Sequence, residues 1–170
     1  MRIAVPKEIV AGERRVALVP ETCKKLIKGG AEIAVEAGAG QAAYFADEDF
    51  RTVGTTIVAD VAALLAAADL VLKVQPPVAN PSTGRHEVDL LKSGSILLTT
   101  LYPTRNVDAV RRLASRNITA FAADCFPRST RAQSMDVLSS MANIGGYKGV
   151  IIAADELAKY FPMFMTAAGT

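Results

Sequence analysis

The sequence is poor in the side chains that most often carry chemistry. Its 170 residues include two cysteines, Cys23 and Cys125, and one histidine, His86. The cysteines lie far apart and belong to no recognisable motif. They read as buried thiols of a reducing compartment, and whether they pair is a question of geometry. His86 sits in a polar loop beside Arg85 and Glu87 and reads as a surface residue. Neither a Ser-His-Asp arrangement nor a metal-ligand spacing can be assembled, so hydrolysis and metal catalysis move down the list. Long apolar runs are also missing. The greasiest stretch, "VADVAALLAAADLVLKV", is broken by Asp60 and Asp69, and no run reaches the roughly 18 uncharged apolar residues of a membrane span. "MRIAVPKEIV" is no signal peptide, because Arg2, Lys7 and Glu8 bracket an apolar run too short for one. Nor is charge of one sign concentrated. Nineteen Lys plus Arg stand against seventeen Asp plus Glu, a net +2 with no basic block, which argues against nucleic acid as a partner.

What is present is enough apolar material for a sizeable core, 51% of the residues, in a chain of one domain's length. Short β-rich segments recur at 2–5, 32–37, 55–59, 69–74, 95–101 and 118–123. Helical stretches separate them: "ETCKKLIKGG", "DEDFRTVG", "DVAALLAAA", "EVDLLKSG" and "NVDAVRRLASRN". Three of these end in glycine where a helix terminus favours positive φ, at Gly29–Gly30, Gly54 and Gly94. Asp60 and Asn106 stand where N-caps belong. Strands alternating with helices predict an α/β domain, a doubly wound (Rossmann- or flavodoxin-like) parallel sheet covered on both faces. Ligands of such sheets collect at the carboxyl ends of the strands. Lys73 in "VLKVQPP", Tyr102–Pro103 and the polar segment from Arg128 all fall there. The one linker-like stretch is "QPPVANPSTGRH", residues 75–86.

"GAGQAA", residues 38–43, fits the loose dinucleotide pattern G-x-G-x-x-G/A. It follows the second strand, however, and no long helical pattern begins at Gln41, so it reads as a glycine turn leaving a strand. Arg14 and Arg15 in "GERRVALVP" fit two descriptions, a solvated pair in a loop or guanidinium groups facing an anion. Lys73, with apolar neighbours, points either to a sheet edge or into a cleft.

The most distinctive segment is "RAQSMDVLSSMANIGGYKGVIIAADELAKYF", a long helix with a polar start. With Ser134 as cap, Asp136 falls in the first turn, where a carboxylate suits the helix dipole. Asp136, Ser139, Ser140 and Asn143 then share one stripe, either ligand-facing or solvated. Gly145, Gly149 and Ala153 form a second line along which another element could approach closely. The helix would run about 40 Å.

From end to end the chain resembles the N-terminal part of the NAD(H)-binding domain of proton-translocating NAD(P) transhydrogenase, the alpha subunit in bacteria. The resemblance rests on "MRIAVPKE", "ERRVALVPET", "VEAGAG", "VLKVQPP" and above all "RAQSMDVLSSMANIGGYKGV". The first four are shared with alanine dehydrogenases. Those enzymes carry a catalytic histidine directly after the fifth strand, where this chain has Tyr102–Pro103, and they lack the "RAQSMD" loop.

The resemblance implies an oxidoreductase that passes hydride directly between NAD(H) and NADP(H), with no general acid or base at the ring. By analogy Arg128 lies against the nicotinamide nucleotide and Gln133 swings with the ring. Asp136 and Ser139 bond the carboxamide. Gln133 and Asp136 would thus be the catalytic pair, and Arg128, Gln133, Asp136 and Ser139 the cofactor-binding set, with no metal. Arg15 and Lys73 match the positions that grip a substrate carboxylate in alanine dehydrogenases, and here stand as an anion-binding pair. The implied cofactors are NAD(H) on this side and NADP(H) on a partner domain. The implied partners are a second copy of the chain and the NADP-binding and membrane subunits, for a cytoplasmic location peripheral to the inner membrane. The expected organisation is an α/β subdomain over 1–133, then a long crossing helix and tail over 134–170. That tail leads toward a second, NAD-binding subdomain with the glycine-rich loop, which in the family follows "MTAAGT". The 170 residues alone are expected to bind NAD(H) feebly and not to turn over. The alternatives are a non-catalytic interaction module and an alanine-dehydrogenase-like oxidoreductase.

Overall fold

The computed structural model describes residues 1–159 together with 161, 165 and 167. It divides into two compact units, Met1–Phe126 and Pro127–Thr170, ahead of the boundary predicted after Gln133.

In the first unit strands and helices alternate as the sequence pattern predicts. They run β1 (Arg2–Val5), α1 (Pro20–Lys28), β2 (Glu32–Glu36), α2 (Asp47–Arg51), β3 (Thr56–Val58), α3 (Val61–Ala66) and β4 (Leu70–Leu72). There follow β5 (Ala79–Asn80), β6 (Arg85–His86), α4 (Glu87–Leu90), β7 (Ile96–Thr99), α5 (Val107–Ser115) and β8 (Thr119–Ala122). Six strands form one sheet in the order β3-β2-β1-β4-β7-β8, and every pair in it is parallel. The linker-like stretch 75–86 contains a small antiparallel pair, β5 with β6, that the sequence pattern does not reveal.

Alternation along the strands sorts side chains to the two faces. Ala4 and Ala34 join Leu64, Leu65, Val71, Leu97 and Leu113 in one core cluster. Ile3, Val5, Ile33 and Val35 pack with Cys23, Phe50 and Leu72 in the other. Both faces are therefore covered, as a parallel sheet requires. Gly30, Gly54 and Gly94 take the positive φ predicted after their helices, +86°, +92° and +79°.

Local details depart from the sequence expectation. Asp60 caps α3 by accepting the Ala62 and Ala63 amides, but Asn106 gives α5 no side-chain cap. Its amide instead donates to the carbonyls of Leu101 and Tyr102, holding the preceding loop. Both cysteines are free, and only Cys23 is buried; Cys125 is exposed. His86 is half-buried rather than on the surface, because its Nδ1 accepts the Val88 amide and starts α4. Burial, then the Arg112 charge, lowers its pKa.

In the second unit a 3-10 segment, Thr130–Met135, leads into α6, Val137–Glu156. Asp136 is the N-cap, not Ser134, because the Asp136 side chain is the one that reaches the Ser139 amide. Twenty residues make α6 about 30 Å long, shorter than the pattern suggested. Most of the predicted tail toward Thr170 lies outside the described residues.

Candidate functional site

Because all six strands of the sheet run the same way, their carboxyl ends share one edge, and the order reverses between β1 and β4. That reversal is where open α/β sheets hold ligands. Here the chain's own side chains fill it. Lys73, next after β4, lies 2.9 Å from Glu87 and 3.2 Å from Glu8, and the three side chains are only 2–3% exposed. Glu8 also accepts the Val74 amide at 2.6 Å, and Glu87 the Val78 amide at 2.9 Å. Lys73 therefore points inward, where an apolar neighbourhood forces a lysine to find carboxylates.

Arg15 lies against its own near neighbour. Its Nε donates to Glu13 Oε1 at 2.8 Å and its Nη2 to Oε2 at 2.6 Å, a bidentate pair. Glu13 further accepts the Arg14 and Arg15 amides and Gln75 Nε2, the last at 2.6 Å. The Arg15 hydrogen bond is the main cause that lowers the Glu13 carboxyl to about 2, against the opposing effect of burial. Arg14 turns elsewhere, donating to Tyr44 Oη at 2.7 Å and lying over that ring. Arg15 and Lys73 thus each engage a carboxylate of their own, with no single anion shared between them.

The glycine turn is structural. Gly38 has φ +74° and donates its amide to Asp47, so a carboxylate from α2 takes the hydrogen-bond donor a phosphate would need. A Cβ on Gly40 would sit 2.6 Å from the Phe50 ring and 2.8 Å from the Phe45 carbonyl. One turn of 3-10 helix, Gln41–Ala43, follows instead of a long helix.

After β7, Asp124 accepts the Leu101 and Tyr102 amides at 2.7 and 3.1 Å, and Tyr102 is held at φ +47° with its ring exposed. Sequence reasoning passed over Glu8, Glu13, Glu87 and Asp124. The one available signal was Lys73 itself, since a lysine flanked by apolar residues demands acidic partners.

In the second unit Asp136 organises the polar segment. Its Oδ1 accepts the Ser139 amide at 2.9 Å, and Ser139 Oγ donates to its Oδ2 at 2.6 Å. Those two bonds lower its pKa, with a smaller contribution from Arg128, whose Nε lies 3.9 Å away. Ser140 Oγ donates to the Asp136 carbonyl at 3.1 Å. Ser139 and Ser140 are therefore engaged with Asp136, whereas Asn143 and Gln133 are exposed. The structure brings Arg128, Asp136 and Ser139 into one cluster. What they offer is a fixed anionic acceptor, a cation and an amide, a set suited to binding and orienting a polar group. Every residue from Ser139 to Glu156 is exposed, and a Cβ on Gly145 or Gly149 would meet nothing within 4 Å.

Among the described residues no group of three or more His, Cys, Asp or Glu is placed to hold a metal ion, and no helix is long and apolar enough to cross a membrane.

The family model described as "Alanine dehydrogenase/PNT, N-terminal domain" matches residues 4–145. A curated relative from Rhodospirillum rubrum, the first of the separately encoded portions of an NAD(P) transhydrogenase subunit alpha, is 48% identical over the whole chain, which covers 44% of that protein. The crystal structure of transhydrogenase from Sinorhizobium meliloti superposes with a TM-score of 0.87 at 40% identity, covering 99% of this chain and 48% of that one. An L-alanine dehydrogenase structure follows at TM-score 0.79 and 30% identity, covering 91% and 40%. The chain thus spans less than half the length of these relatives.

Proposed function

The chain belongs to the family of alanine dehydrogenase/PNT N-terminal domains, and from that premise we propose that it is the NAD(H)-side segment of a transhydrogenase alpha subunit. In this reading hydride passes between NAD(H) here and NADP(H) on a partner domain, within a larger assembly that also moves protons through membrane subunits. Hydride transfer between two nicotinamide rings leaves the hard chemistry to the cofactors, so the protein binds, orients and excludes water.

The observation that carries the reading is the Asp136–Ser139 pair at the head of α6. Its carboxylate stays ionised and fixed in direction, with Arg128 beside it. The exposed Gln133 amide precedes it in the chain. In the proposed roles Asp136 and Ser139 bond the carboxamide of the nicotinamide, Arg128 lies against the nucleotide, and Gln133 follows the ring between resting and reacting positions. Arg15 and Lys73 serve structure, because Glu13, Glu8 and Glu87 already meet their charges.

A second reading, an interaction module, is favoured by α6 itself. Met141, Ile144, Tyr147, Val150, Ile151 and Ile152 are all exposed on a helix whose small residues leave its backbone open. A homodimer or a partner subunit would cover them.

The test pairs a titration of the 170-residue chain with NAD(H) and light scattering with an assay of hydride transfer from NADH to a nicotinamide acceptor. Weak, saturable NAD(H) binding without turnover is expected. A tight dimer indifferent to nucleotide supports the interaction module, and robust transfer by this chain alone contradicts its role as a segment.

A further inference from the structure

We propose that the carboxyl ends of β1, β2 and β4 form a proton-responsive cluster, in which Glu36 takes up or releases a proton according to the charge left over around Lys73. The starting point is a charge imbalance. Glu8 and Glu87 flank one ammonium, and all three side chains are almost fully removed from water. Two carboxylates against one cation leave an excess negative charge where solvent screens little.

Glu36 ends the neighbouring strand β2 and is half-buried. Its Oε2 accepts the Lys7 amide at 2.8 Å. Lys7 directly precedes Glu8, so the loop that delivers Glu8 to Lys73 also ties down Glu36. The charges that bear on Glu36 come from three elements: Lys7 on the loop after β1, Lys73 after β4 and Glu87 at the start of α4. Burial pushes the Glu36 carboxyl above the ordinary range and Glu87 adds to that, outweighing the Lys7 amide and the two lysine charges. Ionising Glu36 therefore adds a third carboxylate to a lysine already outnumbered.

The sign of the consequence follows. The folded chain keeps this proton at a pH where the unfolded chain has lost it, so stability falls as the pH rises through the Glu36 titration. The anchorage of the loop from Pro6 to Arg15 thereby becomes sensitive to pH. This inference rests on the first unit alone and is independent of the nicotinamide reading.

The experiment follows the Glu36 carboxyl carbon and the Lys7 amide by NMR across pH in the full 170-residue chain. Both reporters are expected to share one midpoint above that of an ordinary glutamate. Glu87→Gln should move that midpoint down and Lys73→Met should move it up. Glu36→Gln should abolish the Lys7 titration and flatten the loss of stability at rising pH. A midpoint at or below the ordinary value, or one that Glu87→Gln leaves in place, overturns the proposal. If Lys73→Met does not fold, the Glu87→Gln comparison decides the matter by itself.

Discussion

Glu8 closes on Lys73 across the strand-order reversal, meeting its ammonium at 3.2 Å while accepting the adjacent Val74 amide at 2.6 Å. The position where an open α/β sheet ordinarily receives a ligand is thus occupied by the chain itself. Ligand-directed groups are instead concentrated at Arg128–Ser139, and the ion cluster becomes a matter of stability.

That role is open to measurement. Lys73→Met should leave Glu8 and Glu87 buried without their counter-ion and cost about 3–5 kcal/mol in urea unfolding. Replacing Glu8 and Glu87 as well, with apolar residues of similar volume, should recover most of the loss.

Glu13 gives a pH signature of opposite sign to Glu36. Its folded carboxyl is lowered from the usual 4.5 to about 2, so its stabilisation is present above 4.5 and lost as the pH falls through about 2. The stability difference between wild type and Glu13→Gln should be constant near neutrality and vanish across that acid window, as followed by circular dichroism.

Gly40→Ala tests the glycine turn. The added methyl would meet the Phe50 ring and the Phe45 carbonyl well inside contact distance, which should cost about 1–3 kcal/mol of stability. NAD(H) affinity per folded molecule should not change; if it falls selectively, the turn touches nucleotide.

Asp136→Ala removes the fixed acceptor of the proposed cofactor cluster. NAD(H) affinity is expected to drop about tenfold or more, the worth of a hydrogen bond to a charged group. Ser139→Ala should follow in the same direction with a smaller loss. Unchanged binding in both variants, measured by titration, would remove the cluster from the site.

Gly145→Ala and Gly149→Ala separate a lone helix from a docking helix. Each new methyl has open space around it, so helix content should rise and stability gain about 1 kcal/mol per site. If instead light scattering shows that a dimer dissociates, the small-residue line is an interface.

Much of the architecture was legible because it depends on local periodicity. The six strands of the main sheet, the glycines closing α1 and α2 and preceding β7, and the Asp60 cap follow from short-range sterics and from hydrophobic alternation. The β5–β6 pair was hidden because two-residue strands carry no period. Asn106 and Ser134 were mistaken for caps because several polar residues near a helix start compete for the same amides, and only geometry chooses among them.

The sequence by itself determined the parallel α/β frame, the structural character of "GAGQAA" and the distinctiveness of the segment opened by Arg128. Only the tertiary structure decided what the ionisable residues do. Lys73 stands 65 positions from Glu8 and 14 from Glu87, and nothing local indicates that they meet. The physical reason is that burial couples charges brought together by strand order, and strand order is a property of the folded chain as a whole.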